Sequence, residues 1–135
     1  MKVKLSGVVI TFNEEDKIKK CIESLENVCD EILIVDSFST DRTKDICLSK
    51  NVTFVTNKFE GHIEQKNYAK SLAKFDHIIS IDADELLDSE AQKSILKIKE
   101  NWEEDGYFFN RLNNYCGKWI KYGSWYPDLK LRLWD

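Results

Sequence analysis

The sequence predicts an α/β fold built on a largely parallel sheet, and three features carry that expectation. Short apolar, β-branched runs recur at residues 5–10, 32–35, 52–55 and 78–81, as strands buried on both faces do. Helical periodicity fills the gaps between them, which calls for right-handed crossovers between parallel strands. The polar residues Asn13, Glu14, Asp36, Ser37, Asp82 and Asp84 all stand just after a run rather than before it. In open parallel sheets, ligands bind at the carboxyl ends of the strands. Folding would therefore gather these groups at one edge of the sheet.

The first strand leaves through Thr11-Phe12-Asn13. A helix is expected from about Glu14, because Ile18, Cys21, Ile22 and Leu25 share one face. The second strand ends at Asp36, and Ser37 to Thr40 form a loop. Ser39 or Thr40 is expected to cap the next helix, with Asp41 in its first turn. Residues 65–74 read as a helix with Tyr68 and Leu72 inward. Ser89 and Gln92 have the spacing of a capping box, for a helix that aligns Ala91, Ile95, Ile98 and Trp102. From Gly106 the texture becomes aromatic, broken by Gly117, Gly123 and Pro127, and residues 130–134 alternate with period two as a half-exposed strand does. The expected organisation is one domain over 1–135, with a core over 1–105 and a mixed β tail over 106–135.

At 135 residues the chain suits one domain with its own core. A net charge of −4 argues against a general nucleic-acid binder, which would present a basic face. No apolar run approaches the roughly 20 residues of a membrane span, and the start is too soon polar for a signal peptide; both predict a cytoplasmic chain. Cys21, Cys29, Cys47 and Cys116 show no metal spacing. Cys21 and Cys47 fall on apolar helical positions and read as buried hydrophobes rather than disulfide partners. His77 reads as structural, whereas His62 stays open.

The most informative stretch is Ile81-Asp82-Ala83-Asp84-Glu85, where a buried strand ends in three carboxylates within four residues. Such crowding is costly unless a cation or a proton compensates it. Two Asp at i and i+2 suit a hard divalent cation, Mg²⁺ or Mn²⁺, shared with phosphate oxygens. Equally, they suit a solvated acidic loop leading into the next helix.

Four blocks in order extend this reading. With them the chain resembles the amino-terminal half of a family 2 glycosyltransferase of the GT-A fold, a Rossmann-like α/β architecture. Residues 8–15, VVITFNEE, resemble the opening strand and its T-[YF]-N-E turn, and residues 34–43, IVDSFSTDRT, resemble the V-D-D-G-S-T-D-x-T block. Residues 65–69, QKNYA, resemble the segment that opens the donor-site helix, and Asp82-Ala83-Asp84 is the D-x-D motif. The wording of QKNYA and DADE, with the later NYCGKW and WYPDLKLRL, is similar to bacterial enzymes that add sugars to lipopolysaccharide core or related envelope glycans.

The resemblance implies a metal-dependent enzyme that moves a sugar from a nucleoside diphosphate, UDP above all, to a glycan or lipid-linked acceptor with inversion. Thr11, Phe12, Asn13 and Glu14 would line the nucleotide pocket, and Asp36 would meet the uridine portion. Lys66 would approach the diphosphate with Asn67 nearby. Asp82 would face the ribose or the metal, and Asp84 would be the main metal ligand. The chain departs from the pattern at Ser37, where many relatives carry a second Asp, and at Phe38, where they carry Gly; this puts the preference for uracil in question. In the relatives the inverting base lies well downstream of the D-x-D, after the point where this chain stops. Asp128 is the weak candidate for it, since it sits in no matching motif. The resemblance stops inside the acceptor-side region, which implies an amino-terminal donor-binding part.

Trp119, Tyr122, Trp125 and Tyr126 suit stacking on sugar rings, and equally suit core packing; an exposed patch of this kind would favour self-association. Any membrane contact would be peripheral. A haloacid-dehalogenase-type phosphohydrolase would want its D-x-D near the start, and a nucleotidyltransferase a Gly-rich basic loop after the first strand; neither pattern is present. A module that binds nucleotide and metal without turnover remains the alternative from another class.

Overall fold

The computed structural model describes residues 3–102, and the backbone strands 106–110, 112–115, 118–121 and 129–134. The expectation of a mostly parallel sheet holds. Strands β1 (Leu5–Thr11), β2 (Glu31–Asp36), β3 (Thr53–Thr56) and β4 (His77–Asp82) are joined by α1 (Ile18–Glu26), α2 (Thr43–Leu48) and α3 (His62–Leu72). After β4 come α4 (Ser89–Glu100) and the strands β5 (Gly106–Asn110), β6 (Leu112–Tyr115), β7 (Lys118–Lys121) and β8 (Leu129–Trp134). The main sheet runs β3-β2-β1-β4-β8-β5, and β6-β7 form a separate hairpin. β1 to β4 are mutually parallel, while β8 pairs antiparallel with both β4 and β5.

Alternation along each strand sorts the core into two layers. Leu5 and Val9, Ile32 and Ile34, and Ile79 and Ile81 pack with Ile18, Cys21, Ile22 and Leu25 of α1 and Ile95 of α4. Val8, Leu33, Val35 and Ile78 pack on the other face with Ala69 of α3. Gly7 shares the α1 face: a Cβ there would meet Cys29 Sγ, in the loop after α1, at 2.8 Å, so a side chain at this position would require Cys29 to shift. Cys21 and Cys47 are buried free thiols, and His77 stacks edge-on against Trp102 with centroids 4.4 Å apart, both as expected.

Five local expectations are corrected. α1 begins at Ile18 rather than Glu14: residues 14–17 form a turn in which the Glu14 carbonyl accepts from the Lys17 and Ile18 N–H groups. The Glu14 and Glu15 N–H groups, which no helix would satisfy internally, donate to Thr43 Oγ1 and Asp41 Oδ2. α2 is led by Asp41, whose Oδ1 accepts from the Thr43 N–H and hydroxyl; Ser39 and Thr40 are engaged elsewhere. α3 starts three residues early, after Gly61 at φ +139°, and buries Gln65 and Ala69 rather than Tyr68 and Leu72, which are exposed. α4 is capped by Asp88, which accepts from Ala91 N–H, while the Gln92 amide donates to the Leu87 carbonyl; no Ser89–Gln92 box forms. The face carrying Ala91, Ile95, Ile98 and Trp102 does turn to the core. β3 lies one residue later than the apolar run suggests, at 53–56.

Lys99 fixes α4 to the opposite edge of the sheet. It is 3% exposed, and its Nζ donates to the Val28 carbonyl at 2.7 Å and to Asp30 Oδ2 at 2.9 Å. Asp30 also accepts from the Leu5 N–H at 2.9 Å, so one carboxylate ties α4 to the first residue of β1.

Candidate functional site

β2 lies to one side of β1 and β4 to the other. The connections therefore diverge at the carboxyl ends of β1 and β4, which is where a crevice opens in sheets of this kind. Register brings the strand ends together: Thr11 pairs with Asp36, and Ile10 with Asp82. A cavity of about 480 Å³ lies there. β1 and its exit supply Ile10, Thr11, Phe12 and Glu14; Ser37 comes from the β2 exit and Asp82, Ala83 and Asp84 from β4. The β3–α3 segment closes it with Phe59, His62 and Lys66.

The β4 exit is a closed turn. The Glu85 N–H donates to the Asp82 carbonyl at 2.9 Å, and the Glu85 carboxylate accepts from the Asp82 N–H at 2.7 Å. Glu85 is thereby turned back on the strand end, and Asp82 and Asp84 are left to the cavity. Lys66 Nζ stands 3.4 Å from Asp82 Oδ1, so part of the carboxylate crowding is compensated within the chain. Burial, followed by the Asp84 charge, pushes the Glu14 carboxyl above its ordinary range. Thr11 Oγ1 is buried with no hydrogen-bond partner among the described residues. A buried hydroxyl left so is costly until a ligand or a water meets it.

The β1 and β2 exits brace one another. Asn13, at φ 50°, donates its N–H to Ser39 Oγ, and its Oδ1 accepts from the Thr40 and Asp41 N–H groups at 2.8 and 3.3 Å. Asp36 is 1% exposed and accepts from both the N–H and the hydroxyl of Ser39. Phe38 takes φ 61° and is exposed, at the position where the resemblance expects glycine. Left-handed backbone strains a residue that carries a Cβ.

Of the residues singled out in the sequence, Thr11, Phe12, Glu14, Ser37, Lys66, Asp82 and Asp84 meet at the cavity. Asn13 and Asp36 stand behind it as loop braces, and Asn67 lies on the exposed side of α3. Asp128, Tyr122, Trp125, Tyr126 and Cys116 lie outside the described residues, as do the side chains of the β strands after Trp102. Phe59, whose ring meets His62 edge-on at 5.2 Å, gave no signal in the sequence beyond the turn glycine at Gly61.

A four-stranded parallel sheet with an acidic turn and a lysine at its switch point defines an α/β domain of the GT-A type. The chain belongs to glycosyl transferase family 2, whose model matches residues 6–132. It is 39% identical over 104 residues to an uncharacterized glycosyltransferase of Rickettsia bellii (strain RML369-C), covering 77% of this chain and 35% of that protein. It is 41% identical over 92 residues to the lipopolysaccharide core biosynthesis glycosyltransferase LpsC of Rhizobium meliloti (strain 1021), covering 64% and 34%. Among solved structures it is similar to glucosyl-3-phosphoglycerate synthase from Mycobacterium tuberculosis in complex with Mn²⁺, UDP and glucosyl-3-phosphoglycerate. The TM-score is 0.55 at 24% identity, covering 60% of this chain and 33% of that one, a likeness of fold. The chain thus spans about a third of the length of the relatives it matches.

Proposed function

We propose that the cavity binds the nucleoside-diphosphate part of a sugar donor, with UDP as the nucleotide. The protein to which this domain belongs then transfers the sugar, with inversion, to a glycan or lipid-linked acceptor in envelope polysaccharide or lipopolysaccharide synthesis. The observation that carries this reading is the meeting of Lys66, Asp82 and Asp84 in one cavity at the carboxyl ends of β1 and β4. The UDP and Mn²⁺ held by a GT-A relative and the name of LpsC support the donor and the acceptor class respectively. No helix among the described residues is long and apolar enough to cross a membrane; a cytoplasmic domain in peripheral contact with a membrane-borne acceptor fits the chemistry of both substrates.

The residues suit a hard divalent cation, Mg²⁺ or Mn²⁺. Among the described residues no cluster of three or more His, Cys, Asp or Glu encloses a metal. Two carboxylates are nonetheless the usual protein share for a cation completed by phosphate oxygens. Asp84 and Asp82 would hold it, and when bound it neutralises charge on the departing diphosphate. The chain's own groups do the rest. Lys66 sits on α3 beside Asp82 and supplies a mobile point charge for a phosphate oxygen. Phe12, 54% exposed at the cavity, offers a ring face to a base. The base that takes the acceptor's proton is sought beyond Trp102, with Asp128 as the weak sequence candidate. Acceptor stacking and self-association through Trp119, Tyr122, Trp125 and Tyr126 rest on the sequence alone.

The test is calorimetric titration of UDP with Mn²⁺ present, with EDTA, and into Asp84→Ala. Binding that requires metal and is lost in the variant supports the reading. A folded chain that binds UDP equally in EDTA, or in which Asp84→Ala binds as tightly as wild type, overturns the metal-assisted donor site.

A further inference from the structure

Three carboxylates crowd the β4 exit, and the third is bonded differently from the other two. Glu85 Oε1 accepts from the Asp82 N–H at 2.7 Å, and the Glu85 N–H donates to the Asp82 carbonyl at 2.9 Å. A Glu that reaches back to the N–H three residues earlier is one half of a capping box. In the complete box, the Asp82 side chain would accept from the Glu85 N–H. Here the Asp82 carbonyl takes that N–H, so the Asp82 carboxylate is not drawn into the turn and lines the cavity with Asp84. α1 holds both ends of the turn. Cys21 Sγ donates to the Asp82 carbonyl at 3.6 Å, and Ser24 Oγ accepts from the Leu87 N–H at 3.0 Å. Between these anchors Ala83 is buried in the core and Asp84 is exposed.

We infer that Glu85 is a positioning residue: by accepting from the Asp82 N–H it keeps the turn closed and presents Asp82 and Asp84 together to a divalent cation, a role that rests on the donor-site reading above. Glu85 acts as an acceptor at a set reach, not as a third negative charge. A turn that stands open must close at each binding event, and apparent affinity falls in proportion to the fraction of molecules closed beforehand. The three carboxylates of the motif thus divide into two that face the cation and one that shapes the backbone carrying them.

Two substitutions separate reach from charge. Glu85→Gln keeps an acceptor at the same distance and removes the charge. Glu85→Asp keeps the charge but withdraws it by one carbon–carbon bond, about 1.5 Å, out of hydrogen-bond range of the Asp82 N–H. Mn²⁺ affinity is read for both variants and wild type at a fixed concentration of UDP, from the resonance of free aqueous Mn²⁺, with the depletion by UDP alone subtracted. Glu85→Gln should stay within about threefold of wild type, whereas Glu85→Asp should weaken roughly tenfold to hundredfold, the worth of one charge-assisted hydrogen bond. The Asp82 amide hydrogen, followed without ligand, should exchange slowly in wild type and Glu85→Gln and fast in Glu85→Asp. The opposite order of affinities overturns the inference, because it would mean that charge is what counts. Equal losses in the two variants, or wild-type affinity in Glu85→Asp, overturn it as well. Should either variant fail to fold, exchange in wild type decides: an Asp82 amide as fast as in an unstructured peptide overturns the inference, and a slow one upholds it. Failure of wild type to bind Mn²⁺ with UDP present overturns the donor-site reading instead, and the inference with it.

Discussion

Replacing Lys66 with methionine separates what that side chain does for folding from what it does for binding. Its ion pair with Asp82 spans 3.4 Å, and the two side chains are 38% and 40% exposed. A pair so open to solvent contributes no more than about 1 kcal/mol to stability. Methionine retains most of the aliphatic stem, and the freed Asp82 carboxylate stays hydrated. Chemical denaturation of Lys66→Met should therefore shift by no more than that amount. A charge-assisted hydrogen bond to a phosphate is worth about 1.5–3 kcal/mol, which corresponds to roughly a tenfold to hundredfold loss of UDP affinity. Calorimetry at about 0.1 M salt reads the loss. Repeating it at about 1 M, where the screening length falls from about 10 to 3 Å, should narrow the gap between variant and wild type. Binding of UDP within twofold of wild type would refute the assignment of Lys66 to the diphosphate. So would a loss of stability as large as that of a core truncation.

Two further substitutions test the local account. Phe38→Gly relieves a left-handed backbone at φ 61° in a ring that is 59% exposed, so little burial is lost; stability should rise by about 1 kcal/mol, seen as a melting point a few degrees higher. Asp30 tests the far edge of the sheet by pH. Burial raises its carboxyl, but hydrogen bonds from Lys99 and the Leu5 N–H outweigh this and hold it below its ordinary value of 3.8. A carboxyl depressed by folding gives stability that is present above the unfolded value and lost as pH falls through the folded one. Lys99→Met leaves the buried Val28 carbonyl without its 2.7 Å donor and Asp30, whose side chain is 36% exposed, to solvent; it should destabilise at neutral pH by about 1–3 kcal/mol and should flatten the acid limb of the stability curve below about pH 4. A Lys99→Met curve parallel to wild type would contradict this.

The strands and the acidic turn were legible because burial on both faces demands continuous β-branched runs, and the charges mark where each run reaches solvent. Residues 32–35 and 78–81 could hardly be anything else. The face of α1 was legible for the same reason, since Ile18, Cys21, Ile22 and Leu25 fall on one stripe. α3 was not, because it buries an amide whose partners, Asn57 and Ser37, come from other loops, and apolar periodicity then points to Tyr68 and Leu72 instead. Caps shifted by one or two residues at α2 and α4, where Asp41 and Asp88 rather than the adjacent Ser or Thr accept from the first turn. Asn13 and Asp36 show the limit at the site itself. A polar residue after a strand has the same appearance in sequence whether it faces a ligand or braces a loop, and only the bonds to Ser39, Thr40 and Asp41 reveal the bracing.

In the proposed donor site Asp82 and Asp84 provide only part of a cation site, which the nucleotide completes. Titrating Mn²⁺ into the protein while following the resonance of free aqueous Mn²⁺ tests it directly. The account predicts weak depletion of that signal by the protein alone and strong depletion once UDP is added, beyond what UDP binds by itself, with the difference abolished in Asp84→Ala. Depletion that is the same with and without UDP, or that survives Asp84→Ala, would contradict it.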